Sequence, residues 1–565
     1  MLGKTLLLPY LAVIILSGIT ILPLFSKGFF PMHDDTQPAR VYEMKEALST
    51  RQFPVRWVGD LGYGYGYPLF NFYAPLPYYI GGFLHLSGVG AIDATKVMMG
   101  IGMILAGITM YLFASTLLGS WGGLIAAVSY MFAPYHALQL FVRGAVGELW
   151  AYGLLPLIGW GVVLLTKDSQ KRYVGYAALS VAFAAVFLSH NITGFVIAAG
   201  SGVLIVGCLI YNHFVKKNVT TAKLLFLAFA TGLGLSAFFI LPAFIEAHHT
   251  RVEQLIQGGS DFRNHFVYLD QLWDSPWGYA GSAPGREDGM SFKIGKIHLI
   301  LGLMGTAMAY VFHRRGKLPK NQLSIFNCQL SIVFTSVFMM LPVSQFIWEA
   351  VPFMPYIQYP WRFLTLVLFS ISVLTAFIVH PFYTLKKKIL SVILAGLLII
   401  LNIKYFQPRF IVEATDDKYI SPLQLRYAMS KISDEYLPSD FIAPRDPSEI
   451  SYQAISNSDF LTVIDAFERP TYKRYQVVVP HTQVIVAAVT YFPGWHAYIN
   501  EREAPIQHIN GKIAFEIPPG ESTIELRLTD TPVRIAGNYI SLLSIILLVY
   551  VSLFLKKSRH EEILG

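Results

Sequence analysis

The sequence predicts a polytopic α-helical membrane protein of about twelve transmembrane helices with a small external β-sandwich near its C-terminus. Three observations predict it. Of 565 residues, 54% are apolar and only 14% are charged, against about a quarter charged in an ordinary soluble protein. Mean hydropathy is +0.49. Aromatic residues reach 14%, with 40 Phe and 32 Tyr, as expected where rings collect at bilayer interfaces. This composition excludes a soluble globular domain, a disordered chain and a nucleic-acid binder.

A span needs roughly 20 apolar residues. The candidates are 5–25, 95–118, 120–134, 150–166, 173–189, 191–213, 223–242, 294–312, 323–342, 361–380, 387–404 and 533–555. The first has no small-residue cleavage site and reads as a retained span rather than a signal peptide. The piece 74–87, YAPLPYYIGGFLHL, is short and Pro-interrupted and reads as lying along the membrane. The basic runs Lys167–Arg172, Lys216–Lys223, His313–Lys320, Lys386–Lys388 and Lys556–Arg559, with Lys4, then share one side. The positive-inside rule makes that side cytoplasmic, in a plasma membrane, with both termini on it. These runs read as solvated loops without chemistry. Cys208 and Cys328 both lie in apolar runs, so neither a disulfide framework nor a Cys-based metal site is expected.

The opposite side receives 26–94, 243–293, 343–360 and the polar block 405–532. That block holds YQVVVP, QVIVAAVTYF, WHAYIN, KIAFEI and STIELRL, whose alternation is that of half-buried antiparallel strands. Pro518-Pro519-Gly520 reads as a hairpin turn, 416–447 as helical or irregular, and the Gly/Tyr alternation Gly62–Tyr67 as a loop. The domains are a membrane domain 1–404, with the first outer loop 26–94 carrying an acidic motif, an external β-rich domain 405–532, and a final helix and tail 533–565.

Chemistry is expected first in FFPMHDDTQPARVYEMKEAL, just after the first span. His33, Asp34 and Asp35 stand where that span leaves the membrane. Such a trio serves as a general base, as a metal site, or as plain interface polarity capping the amphipathic helix read over Thr36–Leu48. On the topology above, Arg143 and Glu148 in FVRGAVGELWA, His190 in LSHNITG, His248, His249 and Arg251, and Gln358, Tyr359, Pro360, Trp361 and Arg362 all reach the same outer surface. Ionisable groups at membrane depth cost several kcal/mol unless paired or functional. Each has an ordinary alternative, such as an Arg143–Glu148 pair or a snorkelling Arg362. Together they predict one polar cavity, where arginines bind a lipid phosphate and a carboxylate deprotonates an acceptor hydroxyl.

The layout resembles the GT-C glycosyltransferases: many spans, an acidic motif in the first outer loop, juxtamembrane helices there, and a soluble outer domain near the C-terminus. Within them the chain looks like the prokaryotic membrane proteins called 6-pyruvoyl-tetrahydropterin synthase-related. The pieces that carry this are HDDTQPARVYEMKEAL, FPVRWVGDLGYGYGYPLFNFYAPLPYY, RGAVGELWA, LSHNITG and IQYPWRFL. The stretch YFPGWHAYINEREAPI with GKIAFEIPPGESTIELRL is similar to the end of YfhO-type proteins. The resemblance implies an enzyme, a polyprenyl-phosphate-dependent glycosyltransferase of the cell envelope. It would transfer a sugar, with inversion, from a lipid-linked donor to an extracytoplasmic glycan, lipid or protein acceptor. It places the catalytic acidic residue on Asp34 or Asp35. Asp34 is preferred as the base, because His-Asp opens the motif and Asp35 directly precedes the helix start Thr36-Gln37-Pro38. Asp35 would then be a helper, a cap or a metal ligand. Arg143 and Arg362 are the expected phosphate binders, with His33, Glu148, His190 and Gln358 as further substrate-side positions. Some GT-C branches use a divalent metal, Mg or Mn, for which Asp34 and Asp35 are the candidates. Alternatives are a transporter or flippase for a lipid-linked or polar substrate, and an inactive envelope-assembly scaffold. The polar residues gather at one face without internal duplication, which favours the enzyme over the transporter.

Overall fold

The structure, a computed structural model, describes residues 4–167, 169–202, 219–380, 382 and 384–564. Cys208, the end of the expected span 191–213 and Lys216–Asn218 of the second basic run lie outside the described residues. Cys328 is a free, exposed thiol.

Apolar sequence builds a helical hub with a thinner periphery. Ala91–Met131 forms two helical arms that reverse at Gly119, whose φ of 80° suits glycine. A Cβ on Gly107 would lie 2.2 Å from the Met131 sulfur, and one on Gly123 2.7 Å from Ser115 Cβ. The arms therefore run antiparallel in close contact, as the separate spans 95–118 and 120–134 predict. Val146–Lys167 packs on these arms and on Arg172–Ser189. The most apolar windows of the arms and of Val146–Lys167 are 67% and 72% buried within the protein, against 11% for Pro532–Lys557. The latter presents Leu543, Ile546 and Tyr550 outward, as a lipid-facing helix does.

Among the described residues seven helices are long and apolar enough to cross a membrane, and eight with the pair Thr220–Leu235 and Ala237–Ile245, bent by 68°. That is fewer than the twelve spans the sequence predicts. Leu8–Thr20 and Pro360–Ala376 are shorter apolar helices, and the two arms that meet at Gly119 count as one.

Two helices of the segment 26–94 shape the site. Gln37–Ser49 matches the expected amphipathic helix within a residue. Leu76–Leu86, at 11 residues, spans only about 17 Å, too short to cross a bilayer. It buries Tyr78, Gly81 and Gly82 and exposes Phe83 and Leu86, the pattern of a helix lying along a surface. Gly62–Tyr67 is irregular, as expected, but it is not free. Thr490 N–H donates to the Tyr65 carbonyl at 3.0 Å and Tyr63 N–H to Ser430 Oγ at 3.0 Å. Gly66, at φ 71°, leaves room for Trp57, whose Nε1 would lie 2.6 Å from a Cβ there.

The 405–532 block holds two sheets. One has the order β1-β2-β8-β4-β5, with β1 Thr462–Arg469, β2 Tyr472–Val479, β8 Gly520–Leu528, β4 Trp495–Ile499 and β5 Arg502–Ala504. The other is β3 Gln483–Thr490, β7 Lys512–Ile517 and β6 Gln507–Ile509. Tyr475, Val477, Ile524, Leu526 and Ala497 are buried on the first sheet, and Ala487, Val489, Ile513 and Phe515 on the second. Pro518-Pro519-Gly520 is not a hairpin turn. It carries the chain from β7 in one sheet to β8 in the other. Before the sheets, 416–447, read from sequence as helical or irregular, holds short helices up to Ile432 and is irregular over 433–446. Asp416 from this run caps the helix of another segment: Ala91 N–H and Ile92 N–H donate to its carboxylate at 2.8 and 3.0 Å.

Candidate active site

Glu148 begins the Val146–Lys167 helix and is 1% exposed. Its carboxylate accepts from Tyr135 OH at 2.5 Å, Gln139 Nε2 at 3.2 Å and an Arg143 terminal nitrogen at 2.7 Å. Arg362 Nε stands 3.8 Å away. Two guanidiniums thus share one carboxylate, and the cluster keeps a surplus positive charge. Arg143 lies over the Trp361 ring, 4.4 Å from its centroid, and Arg362 over Tyr359 at 4.9 Å. Arg362 also donates to the Ile357 carbonyl at 2.6 Å and to Gln358 Oε1 at 3.1 Å. Its Nε is buried without a hydrogen bond.

The chain around Arg143 is shaped for this cluster. Gln139–Arg143 is a wide π-turn, a form that recurs at functional sites. It ends at Gly144, φ 61°, where a Cβ would meet the Met32 sulfur at 2.0 Å. A Cβ on Gly147 would meet the Ser189 carbonyl at 2.5 Å and His190 Cδ2 at 3.5 Å. The glycines of RGAVGE thereby admit the residues before Asp34 on one side and His190 on the other. His190 Nδ1 bonds Thr193 Oγ1 at 2.7 Å, and its ring lies within electrostatic reach of Glu148, Arg143 and Arg362.

The acidic motif joins the cluster through its backbone. His33 N–H donates to the Val142 carbonyl and Asp34 N–H to the Arg143 carbonyl, each at 3.0 Å. The two aspartates then differ. Asp34 accepts from Thr36 Oγ1 at 3.0 Å, Gln37 Nε2 at 2.7 Å, Tyr73 OH at 3.1 Å and Arg40 at 3.0 and 3.1 Å. These contacts use the roughly four lone-pair sites a carboxylate has. Asp35 accepts from Tyr419 OH at 3.2 Å. Burial pushes its carboxyl up to about 6, against the lowering effect of the Tyr419 hydroxyl and of Lys418. The expected capping role of an aspartate is not seen: Thr36 is the N-cap and no side-chain cap bond forms there.

The structure therefore brings together Arg143, Glu148, His190, Gln358 and Arg362, with His33 and Asp34 joined to them through the backbone, while the Asp35 carboxyl turns to Tyr419 and Lys418. His248, His249 and Arg251 go elsewhere. Arg251 Nε donates to the Pro438 carbonyl at 3.1 Å, and His249 packs by Phe492. Tyr135, Gln139, Arg40, Gln37, Tyr73 and Tyr419 are additions that sequence reasoning missed. Spacing alone could have flagged Arg40, less than two helical turns from Asp34, and Tyr135 and Gln139, a turn apart on one face. Tyr419 carries no such signal, being 384 residues from Asp35. Glu435, from the same segment as Tyr419, lies within electrostatic reach of Arg40 and Asp34.

Mg or Mn requires about six oxygen ligands in near-octahedral order. The acidic motif does not fit one: Arg40 holds the Asp34 carboxylate, and among the described residues no group of three or more His, Cys, Asp or Glu is arranged to hold a metal ion.

A curated protein of Lactococcus lactis subsp. cremoris (strain MG1363), described as uncharacterized, is 24% identical over 283 residues, covering 47% of this chain and 44% of the relative. The match thus spans less than half the relative's length. Among solved structures, the Archaeoglobus fulgidus oligosaccharyltransferase in its apo form has a TM-score of 0.48 at 12% identity, covering 79% of this chain and 62% of that one. Arabinofuranosyltransferase AftD from Mycobacteria gives 0.44 at 13%, covering 73% and 28%. ArnT from Cupriavidus metallidurans bound to undecaprenyl phosphate gives 0.30 at 11%, covering 67% and 78%. Residues 70–271, which include Arg143, Glu148 and His190, match the family model described as "6-pyruvoyl-tetrahydropterin synthase related domain; membrane protein".

Proposed function

We propose that the protein is an integral membrane glycosyltransferase of the GT-C kind. It transfers a sugar from a polyprenyl-phosphate-linked donor to an acceptor hydroxyl at the outer membrane surface, with inversion. One observation carries this reading: two buried guanidiniums share the single Glu148 carboxylate, next to an acidic motif bonded to the backbone of one of them. A buried surplus of positive charge at such a place suits a phosphate that arrives on a lipid chain.

Arg143 and Arg362 bind the donor phosphate in this reading, with Trp361 and Tyr359 holding their planes. Asp35 is the base, in place of the Asp34 preferred from sequence alone. Its carboxyl titrates at about 6 with Tyr419 as its hydrogen-bond donor, whereas Asp34 is filled by Arg40, Gln37, Thr36 and Tyr73. Asp35 takes the proton of the acceptor hydroxyl while that oxygen forms its bond to the anomeric carbon. The bond from that carbon to the phosphate oxygen breaks, and the polyprenyl phosphate leaves with the electron pair. The arginines stabilise the charge it gains. Gln37, Arg40 and Tyr73 hold the motif still, and no step passes through a metal. The 405–532 block sits outside, and its Tyr419 reaches the base; both termini are cytoplasmic.

Purified protein in lipid nanodiscs, supplied with polyprenyl-phosphate sugars and candidate acceptors, tests this directly. Transfer is expected, and Asp35→Asn lowers turnover by roughly 10²–10⁴-fold with donor binding retained. Donor that binds and crosses the bilayer without transfer would replace the enzyme by a flippase.

A further inference from the structure

We infer that Arg40 takes the place of a divalent cation at the first-loop acidic motif, so that Asp34 and Arg40 form a fixed organic ion pair and the site works without a metal. The inference depends on the glycosyltransferase reading only for what the pair serves. Its cation-binding content stands by itself.

Both Asp34 oxygens face the same guanidinium nitrogen, at 3.0 and 3.1 Å. Arg40 is 3% exposed, lies over the Tyr73 ring at 4.1 Å, and donates to Ser433 Oγ at 3.2 Å. Moving it aside would break the contact with Asp34, uncover the ring and release Ser433 together. Leaving it in place puts a full positive charge where an arriving cation would have to sit, and like charges in a half-buried site repel strongly. The remaining Asp34 contacts, from Thr36, Gln37 and Tyr73, are all donors. Every hydrogen-bond partner of this carboxylate is thus a donor, as suits an anion that stays paired inside the protein, and Glu435 lies in electrostatic reach of the same pair. A metal site needs oxygen lone pairs left open.

The pair also explains the geometry of the motif. Asp34 is the residue whose N–H is bonded to the Arg143 carbonyl. Arg40 clamps Asp34 from the Gln37–Ser49 helix. It thereby fixes the backbone between the Arg143 carbonyl, to which Asp34 is bonded, and Asp35. Arg40 is a positioning residue that acts through Asp34, and its charge, unlike a bound ion, cannot dissociate.

The test is Mn²⁺ binding to the purified, metal-stripped full chain, read by the electron paramagnetic resonance of free Mn²⁺. No stoichiometric site with Kd below about 1 mM is expected. Turnover, where transfer is measured, is expected to be unchanged in EDTA. Arg40→Gln opens the Asp34 carboxylate and is expected to raise Mn²⁺ affinity about tenfold or more, while Arg40→Lys keeps the fixed charge and gains nothing. A single tight Mn²⁺ site in the wild type that Asp34→Asn abolishes would overturn the inference, and so would an Arg40→Gln protein that folds and gains no affinity. If Arg40→Gln does not fold, the wild type against Asp34→Asn decides alone. Absence of any transfer activity sinks the glycosyltransferase reading and leaves this titration intact.

Discussion

Two buried ionic networks in this protein each centre on a glutamate among arginines, and they are built to different ends. Around Glu246 the charges close. Arg534 donates Nε to Glu246 at 3.1 Å, one terminal nitrogen to the Thr529 carbonyl at 3.2 Å and the other to the Pro493 carbonyl at 2.9 Å. Thr531 Oγ1 and Asn71 Nδ2 fill the rest of the Glu246 carboxylate at 2.6 and 2.8 Å. Arg56, beside it, pairs with Asp530 at 3.5 Å and donates to the Phe238 carbonyl and to Asn538 at 2.9 Å each. Around Glu148 the charges do not close: two arginines face one carboxylate, whereas Arg534 and Arg56 have Glu246 and Asp530. A closed network fastens segments together, here the segment 26–94, the bent helix pair and the β-domain's exit into the last helix. An open one has charge left for a ligand.

Stability should separate the two most sharply. Glu246→Gln leaves Arg534, 2% exposed, without its counter-charge, which should cost roughly 3–5 kcal/mol in denaturant unfolding. Donor binding per folded molecule stays unchanged. The comparison breaks if donor binding is lost at full stability.

The acidic motif offers the same contrast at shorter range. Asp34→Asn strands the buried Arg40 and should destabilise by about 3 kcal/mol or more. Asp35→Asn should act on turnover and on its pH profile. The folded pKa of Asp35 lies above its ordinary value, so the fold favours the protonated form. Its stabilising contribution is complete below pH ~4 and is lost as pH rises through about 6. The base works only when ionised, so turnover should rise with pH through about 6, and in Asp35→Asn that limb should vanish. A limb that persists in the variant would assign it to another group.

A smaller effect marks the docking of the 405–532 block. Asp416→Ala removes the cap that Ala91 N–H and Ile92 N–H share and should cost about 1 kcal/mol of stability, with turnover per folded molecule unchanged.

Some of this was legible in the sequence for a physical reason. An ionisable residue inside an apolar run is conspicuous, and Arg143, Glu148 and Arg362 stood out and do meet. The Gln37–Ser49 helix followed from periodicity, and the break at Gly119 from the separate apolar runs 95–118 and 120–134. Asp34 and Asp35 could not be told apart, because their environments come from Arg40, Tyr73 and Tyr419, and only the first is near in sequence. The Glu246 network was missed because Glu246 ends one apolar segment and Arg534 begins another, so both read as span boundaries. Strand β1 was missed because nearly all of it is exposed, which erases the alternation. β5 and β6 are three residues each, too short for any period.

On the proposed function, the open network around Glu148 holds the donor's phosphate. The most direct measurement of this is the affinity of a polyprenyl phosphate for the purified protein in nanodiscs, wild type against Arg143→Ala and Arg362→Ala, with thermal stability followed in parallel. The account predicts a loss of about 1.5–3 kcal/mol of binding free energy in each variant, with folding retained. Unchanged affinity in both variants would contradict it and leave the two arginines as partners of Glu148 alone.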